Sequence, residues 1–339
     1  MLDEFFDVQR KKFLDFVSNA TSIFIIYHSD PDGVCSAAMM KLWLKENDKR
    51  VYVASTKFGL VDMDRELAKH AMSFDKIIIL DLSSKNEMLR KKKDDICRID
   101  HHIIDDLYDE NLLINPRTLD ENIYLPTSYI VWRLSQRRKD YSFIAHFGSK
   151  LDKCEKCDDL YALALSKYPE INNVFNEMSE ILSVSRYIKS ANIVVNMLIS
   201  LYRSGSPKYL KATSEYSKLS RLKHLINNEI SKHVSHPQKI FYNKKISIIR
   251  VCSNFSVHVA VASLYSKFMK EEAVVVYNPC LSKKHVYFEA RSKENLYNVF
   301  KKELFRYVES FGGHENAFGF KVNKEKIDEV LNLIKNITF

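Results

Sequence analysis

The sequence predicts an α/β protein in three parts, with a mainly parallel N-terminal sheet flanked by helices, a helical connector and a smaller C-terminal α/β domain. Three observations support this. Strand-like apolar runs alternate with helix-periodic segments over the first 150 residues, the next 80 residues are almost purely helical in pattern, and alternation returns near the C-terminus. A chain of 339 residues with 46% hydrophobic residues also suits more than one domain. The predicted divisions are 1–157, 158–236 and 237–339.

The first part reads as a strand–helix repeat. In chain order the predicted elements are a helix at 5–19, a strand at 22–27, a helix at 35–46, a strand at 50–54, a helix at 63–72, strands at 76–80 and 96–99, a helix at 127–136 and a strand at 141–147. Strands separated by helical crossovers pair in parallel, so a mainly parallel sheet is expected.

The middle and last parts differ in pattern. Residues 158–236 carry helical periodicity, with a break at Ser204-Gly205-Ser206-Pro207, and Ser235-His236-Pro237 marks the boundary that follows. The C-terminal elements expected are strands at 245–251, 273–277 and 285–290 and helices at 257–269, 296–308 and 324–335. We find no internal repeat and no low-complexity segment.

The charge and the cysteines of the chain limit the kinds of partner and the cellular compartment to be expected. The net charge of +9 and pI of about 9.0 favour an anionic partner, although a lysine-rich composition gives such values without one. Of six scattered cysteines, Cys154 and Cys157 have metal-like spacing but lack a second pair for zinc, and free thiols indicate a reducing compartment. An acidic N-terminus and the lack of a membrane-length apolar run predict a cytoplasmic protein without membrane contact.

Four separated polar clusters carry the chemical information. They are His28-Ser29-Asp30-Pro31-Asp32-Gly33 after the first strand, Asp81 after the run 76–80, Asp100-His101-His102 after the run 96–99, and Gly312-Gly313-His314. In an extended segment residues 28, 30 and 32 would share one side. Because ligands collect at the carboxyl ends of parallel strands, the three acidic strand endings are expected around one crevice. The pattern predicts metal-dependent phosphate chemistry.

These clusters resemble the motifs of the DHH-superfamily phosphoesterases with a C-terminal DHHA1 domain, a group that includes RecJ-type nucleases and nanoRNases. The first cluster is similar to the RecJ and archaeal form His-x-Asp-x-Asp-Gly, with Val34 where other branches carry a further Asp, and Asp30 taking the place of that carboxylate. The C-terminal match covers 288–292 and 310–320, close to the Arg-Ser strand ending and the Gly-Gly-Gly-His…Ala-Ala-Gly element of the family. The resemblance spans nearly the whole chain.

The resemblance implies a phosphodiesterase with two Mn²⁺ ions, or Mg²⁺ in their place, since mixed nitrogen and oxygen ligation suits Mn²⁺ better than Ca²⁺. Asp81 would bridge the ions, Asp100 would orient a neighbouring imidazole, and His102 would face the scissile phosphate. The implied metal ligands are His28, Asp30, Asp32, Asp81 and His101. The implied catalytic residues are Asp81, Asp100, His101 and His102. The implied substrate-binding residues are Arg291, Ser292, Gly312, Gly313 and His314.

The sequence departs from the family pattern at the fourth aspartate. That residue usually ends a strand in a Gly-x-x-Gly-Asp-like setting, and the nearest match here, 145–149, puts Ser149 at the expected carboxylate position. A neutral hydroxyl would hold a second ion weakly. Asp152 and His146 are the alternative ligands nearby.

Three functions follow, from different classes. The favoured one is a single-strand exonuclease or short-oligonucleotide hydrolase that releases nucleoside monophosphates, with nucleic acid and replication or repair proteins as partners. The second is a small-molecule phosphoesterase acting on a nucleoside bisphosphate or a cyclic dinucleotide. The third is a non-catalytic, DHH-derived replication scaffold, for which Ser149 is the argument. The presence of every other motif residue favours an enzyme.

Overall fold

The computed structural model describes residues 1–58, 63, 65–83, 86–103, 112–243 and 245–337. It divides into two compact units, Met1–Lys223 and His224–Phe339. The fold class expected from the sequence is confirmed, with a parallel α/β sheet in the first unit and a mixed sheet with helices in the second. The three-part division at 157 and 236 stays a prediction.

The first unit is built on a five-stranded sheet of order β2-β1-β3-β4-β5, in which every pair is parallel. β1, β3 and β4 are buried over almost their whole length, which explains their continuous apolar runs. The strands are β1 Ser22–Tyr27, β2 Arg50–Ser55, β3 Lys76–Leu80, β4 Ile96–Ile99 and β5 Leu112–Ile114.

Helices cover this sheet and continue through the middle of the chain. They are α1 Leu2–Ser18, α2 Pro31–Glu46, α3 Arg65–Ala71, α4 Thr127–Leu134, α5 Ser142–Leu151, α6 Asp158–Lys167, α7 Ile171–Ser183, α8 Asn192–Ser204 and α9 Tyr216–Ser235. Helix α8 ends at Gly205, which adopts a left-handed conformation with φ 78°. A short 3₁₀ segment, Val184–Tyr187, lies between α7 and α8.

Helix α2 begins earlier than the sequence pattern predicted, and this corrects the expectation for Asp32. Asp30 caps the helix by accepting a hydrogen bond from Gly33 N at 2.9 Å, and Pro31 occupies the first helical position. Asp32 therefore lies in the first helical turn, not on an extended segment with His28. Gly33 is required here, because a Cβ at this position would meet the carbonyl oxygen of His28 at 2.1 Å.

The strand predicted at 141–147 is wrong, because this segment enters helix α5, Ser142–Leu151. Residues 142–149 are all buried. A helix that is buried on every side shows no apolar stripe at helical spacing, so its sequence cannot be told from that of a buried strand.

The second unit contains a six-stranded sheet of order β10-β11-β9-β8-β7-β6, antiparallel except for the pair β7–β8. Its core is rich in stacked phenylalanine rings, among them Phe288, Phe320 and Phe311. The strands are β6 Gln238–Tyr242, β7 Ile246–Arg250, β8 Ala273–Asn278, β9 His285–Ser292, β10 Val308–His314 and β11 Ala317–Asn323, and the helices are α10 His258–Ser266, α11 Tyr297–Leu304 and α12 Ile327–Asn336. Strands β6, β10 and β11 were not predicted.

The expectation of free thiols is wrong for two pairs of cysteines. Disulfides join Cys154 to Cys157 and Cys252 to Cys280, with Cα separations of 6.0 and 5.1 Å. Cys252 and Cys280 are 28 positions apart but follow the neighbouring parallel strands β7 and β8, so the fold brings them together. No helix in the described part of the chain is both long and apolar enough to cross a membrane.

Candidate metal centre

The register of the first sheet places the predicted site residues at one edge. Tyr27 pairs with Leu80 and Leu80 pairs with Ile99, so β1, β3 and β4 end at the same level. The next residue on each strand is His28, Asp81 or Asp100. Their side chains therefore start from adjacent points at the carboxyl edge, where α/β proteins bind ligands.

Asp81 lies at the centre of this edge. Its Oδ1 is 3.2 Å from Nε2 of His101 and its Oδ2 is 3.4 Å from Nδ1 of His28. The residue is 1% exposed and adopts a left-handed backbone conformation, φ 58°, which aspartate tolerates better than most residues. The sharp turn after β3 thus directs one carboxylate oxygen to each of two histidines.

Among the described residues, three groups of side chains bring their ligand atoms within 4.8 Å of one another. Asp81 belongs to two of the groups, and His101 also belongs to two, so the groups form one continuous cluster. The groups are His28, Asp30 and Asp81; Asp32, His101 and Asp152; and Asp81, Asp100, His101 and His102. All five metal ligands implied by the resemblance lie in this cluster.

The N-terminus of helix α4 holds Asp32 in place. Thr127 N donates to its Oδ2 at 2.7 Å, Ser128 N donates to its Oδ1 at 3.0 Å, and the Ser128 hydroxyl also donates to Oδ1. Free backbone amides and the positive end of the helix dipole both favour a carboxylate here. Asp32 is therefore fixed by a helix distant in sequence.

Helix α5 brings the carboxylate of Asp152, and not the hydroxyl of Ser149, to the cluster. Ser149 is buried on this helix with its Oγ 3.1 Å from Oγ of Ser128, and it belongs to none of the three groups. Asp152, at the C-cap of the same helix, is in the cluster with Oδ2 3.6 Å from Nε2 of His101. The Tyr124 hydroxyl donates to that Oδ2 at 2.5 Å.

His146, the other alternative ligand, lies in an aromatic environment. Its ring makes edge contacts with Tyr161 and Phe175. Burial and then the charge of Lys150 lower the pKa of His146 to about 4. The residue belongs to none of the three groups.

Asp100 orients His102. Its Oδ1 lies 2.7 Å from Nδ1 of His102 and accepts hydrogen bonds from His101 N at 2.8 Å and His102 N at 3.3 Å. Burial works against ionisation, but these partners prevail and lower the pKa of Asp100. Burial would likewise depress the pKa of His102, yet the Asp100 carboxylate raises it. The pair matches the carboxylate–imidazole arrangement that fixes a histidine tautomer.

The electrostatics of the cluster fit divalent cations. Burial, then the charges of Asp81 and Asp152, raise the pKa of Asp32, and burial also raises the pKa of Asp152. Burial would lower the pKa of His101, but Asp81 outweighs it and raises that pKa to about 10. Asp81 Oδ2 and Asp100 Oδ2 are buried without a hydrogen-bond partner in the described part of the chain. Crowded, incompletely paired carboxylates of this kind are what a bound cation stabilises.

Sequence reasoning missed two arginines beside the cluster. Arg186, on the 3₁₀ segment after α7, places Nη2 at 3.5 Å from Oδ2 of Asp30 and is 46% exposed. Arg117 donates from Nε to the carbonyl oxygen of His101 at 2.7 Å. No motif spacing marks either residue, and only the packing of later segments brings them to the sheet edge.

The predicted substrate residues lie together on the second sheet. Ala317 of β11 pairs with Arg291 on one side and with His314 on the other, so Arg291 and His314 lie in line across three strands. Gly313 has φ 131°, and a Cβ there would meet the carbonyl oxygen of Ala317 at 2.5 Å. Arg291 forms an ion pair with Glu289, and the Ser292 hydroxyl donates to the carbonyl of Glu294 at 2.7 Å. The side chain of His314 lies outside the described part of the chain.

Solved structures share this architecture. A manganese-bound exonuclease RecJ matches with a TM-score of 0.71 and 14% identity over 98% of this chain and 93% of its own. RecJ from Thermus thermophilus, in complex with Mn²⁺, matches with a TM-score of 0.72 and 14% identity over 98% of this chain, which spans 54% of its length. CDC45 from Entamoeba histolytica matches with a TM-score of 0.51 and 9% identity over 98% and 97% of the two chains. No curated protein sequence matches significantly.

Fold and site together define a parallel α/β domain whose carboxyl edge carries a histidine and aspartate cluster able to hold metal ions. Residues 22–164 match the family described as the DHH family, N-terminal domain. The match begins at the first residue of β1 and covers all five strands of the first sheet and every residue of the cluster. Over these residues the chain is similar to the DHH family, and the solved structures share its fold.

Proposed function

We propose that this chain is a Mn²⁺-dependent phosphodiesterase that hydrolyses single-stranded nucleic acid or short oligonucleotides to nucleoside monophosphates. One observation carries the proposal. Asp81 presents Oδ1 to His101 and Oδ2 to His28, so a single carboxylate links two groups of ligands. In two-metal sites the ions lie about 3.5 to 4 Å apart, a separation that one carboxylate can bridge.

The two groups indicate which residues would hold each ion. His28, Asp30 and Asp81 would hold one ion, and Asp32, His101 and Asp152 would hold the other with Asp81 shared. Bound ions would polarise the phosphoryl oxygens and generate a hydroxide nucleophile at neutral pH. The two imidazoles favour Mn²⁺, with Mg²⁺ as the alternative, because nitrogen ligands suit the softer ion.

The protein's own residues orient the groups of the site. Helix α4 fixes Asp32 through two backbone amides, and Asp100 engages Nδ1 of His102. That contact leaves Nε2 of His102 as the nitrogen that can bind a phosphate oxygen or pass it a proton, and the side chain is 41% exposed. Arg186 can contact a second phosphate oxygen, since it is half-exposed and only 3.5 Å from Asp30.

The second unit is proposed to bind the nucleotide end of the substrate. Its candidate residues are Arg291, Ser292, Gly312, Gly313 and His314. The alignment of 291, 317 and 314 across β9, β11 and β10 supports this, as does the close backbone approach at Gly313. Replication or repair partners belong to the same proposal and rest on the sequence resemblance. A cytoplasmic location is also part of it and rests on the acidic N-terminus and the lack of a membrane-length apolar run, because the two disulfides remove the free-thiol argument.

The scaffold alternative is less favoured than the sequence suggested. Its argument was the lost carboxylate at Ser149, but Asp152 supplies a carboxylate to the cluster. A small-molecule phosphoesterase would use the same residues and remains the second candidate, because a two-metal centre acts on the phosphate group whatever the length of the molecule attached to it.

Time-resolved product analysis of 5′-labelled single-stranded RNA and DNA, from dinucleotides to 20-mers, tests the proposal. With Mn²⁺ we expect either a ladder or turnover of the shortest substrates, and neither with Asp81→Ala. The variant Asp7→Ala, which removes an exposed carboxylate on α1, should behave as wild type. Equal activity in Asp81→Ala, or no turnover of any oligonucleotide by wild type, would contradict it.

A further inference from the structure

A cluster of basic side chains, separate from the metal centre, lies in the first unit between helices α2 and α8. Lys41 and Lys45 are one turn apart on α2, and Arg203 is on α8, one to two turns beyond Asn196 and Ser200. Together with Leu42, Ile199 and Glu215 they line a cavity of about 270 Å³. The buried side chains of Leu42 and Ile199 are part of its lining.

The three cations lack a compensating partner within the described part of the chain, where none of them forms an ion pair or a side-chain hydrogen bond. Glu215 lines the same cavity, but its carboxylate accepts hydrogen bonds from the hydroxyls of Ser200 at 3.3 Å and Ser214 at 3.0 Å. The cavity therefore carries an excess of positive charge.

Helix-terminal cations often need no ligand, because they interact with the helix dipole. This explanation suits Lys45 and Arg203, which lie in the last turns of α2 and α8. It does not suit Lys41, which lies further inside α2 and is only partly exposed. Burial, then the charges of Lys45 and Arg203, lower the pKa of Lys41, so like charges crowd this lysine.

We propose that this cavity binds the phosphate group of a small anion, at a site separate from the metal centre. The residues Lys41, Lys45 and Arg203 contact the phosphate oxygens, and the Asn196 amide is a further donor at the cavity. Its volume is slightly below the usual range for drug-sized ligands, which suits inorganic phosphate, pyrophosphate or the phosphate end of a nucleotide.

The site is distinct from the catalytic one because helix α2 separates them. Asp30 and Asp32 at its N-terminus lie in the metal cluster, whereas Lys41 is ten residues beyond Pro31, the first residue of the helix. At the rise of an α-helix, ten residues span about 15 Å. The cavity and the metal cluster therefore share no residue.

Isothermal titration of the full chain with pyrophosphate, in EDTA, tests the site. We expect saturable binding of one anion per chain, weakened about tenfold or more by Lys41→Ala or Arg203→Ala. Lys11→Ala, which removes an exposed lysine on α1, is the matched control and should change affinity less than about twofold. The variant Asp81→Ala should bind as wild type, which separates this site from the metal centre.

Glu215→Gln gives a test in the opposite direction. Removing the carboxylate charge from the cavity should tighten pyrophosphate binding, a gain that misfolding cannot produce. Titrations of wild type and Lys41→Ala with inorganic phosphate and AMP then distinguish the sources. Tighter AMP binding that is lost in Lys41→Ala indicates a nucleotide at the cavity, and Lys41-dependent binding that is no tighter for AMP than for phosphate indicates phosphate alone. Absence of saturable binding, or an equal loss in Lys11→Ala, would overturn the proposal.

Discussion

The carboxylate of Asp152 lies 3.6 Å from Nε2 of His101, although the two residues are 51 positions apart in sequence. The contact brings the end of helix α5 to the edge of the parallel sheet. It places the carboxylate of Asp152 in the cluster, whereas Ser149 belongs to none of the three groups. The distinction between these two residues leads directly to a test.

Replacing Asp152 with Asn should weaken Mn²⁺ binding and lower kcat. The substitution keeps the size and the contact with Tyr124 but removes the charge, and a decrease of about tenfold or more in metal affinity is expected. Calorimetric titration of Mn²⁺ measures the change. The matched control is Ser149→Ala.

Ser149→Ala should leave Mn²⁺ affinity unchanged and cost about 1 kcal/mol of unfolding free energy, because it removes one hydrogen bond to Ser128. Urea unfolding measures that cost. If Ser149→Ala weakened Mn²⁺ binding as much as Asp152→Asn, the assignment of Asp152 rather than Ser149 as a metal ligand would be wrong.

Asp100→Asn should lower kcat and shift the pH dependence of turnover. The Asp100 carboxylate raises the pKa of His102, so the protonated imidazole persists to higher pH in the wild type. Asparagine carries no charge to stabilise the protonated imidazole, so the pKa of His102 should fall. The alkaline limb of the pH dependence of kcat should then move to lower pH. A pH–rate profile at saturating Mn²⁺ measures the shift, and an unchanged alkaline limb would argue against a role for His102 in proton transfer.

Arg186→Ala should raise KM with little change in kcat. An arginine that contacts a non-reacting phosphate oxygen binds ground state and transition state equally, so its loss appears in KM, at about tenfold. Steady-state kinetics on a short oligonucleotide provide the measurement. The exposed neighbour Lys189 serves as the control, and a KM increase of the same size in Lys189→Ala would indicate a general charge effect.

His258 should make the protein less stable in mild acid. Burial, then the charge of Arg291, lower its pKa from 6.5 to about 3. Below pH 6.5 the unfolded chain binds a proton that the folded chain does not, so this residue contributes a loss of stability as pH falls from 6.5 towards 3. In His258→Phe the unfolding free energy should fall less steeply over this range. Urea unfolding at several pH values, with the exposed His224→Phe as control, measures the difference, and identical slopes would contradict it.

The sequence predicted the parts of the site that sit directly at strand ends. Asp81 and Asp100 follow apolar runs that become β3 and β4, and the equal register of these strands makes the inference reliable. The fold class followed from the same alternation. The start of helix α2 was harder to predict. Asp30 and Asp32 were interpreted as metal ligands on an extended segment, but Asp30 is also the N-cap of the helix.

Residues that reach the site from helix ends were harder to predict, for a physical reason. The sequence named Asp152 only as an alternative ligand and predicted a strand before it, because helix α5 is buried over most of its length and its apolar residues show no helical periodicity. Ser128 and Thr127 act through backbone amides, which almost any residue type provides. The disulfide between Cys252 and Cys280 likewise depends on strand pairing and not on spacing.

Equilibrium Mn²⁺ binding to wild type and to Asp81→Asn tests the shared carboxylate most directly. Since Asp81 joins the His28 group to the His101 group, wild type should bind two ions per chain, and the single substitution should weaken both. Asp7→Asn, on the exposed face of α1, should retain both ions at wild-type affinity. The predicted result is that wild type binds two Mn²⁺ ions and that Asp81→Asn lowers the affinity for both. A single ion in wild type, or unchanged binding in Asp81→Asn, would contradict the two-ion centre.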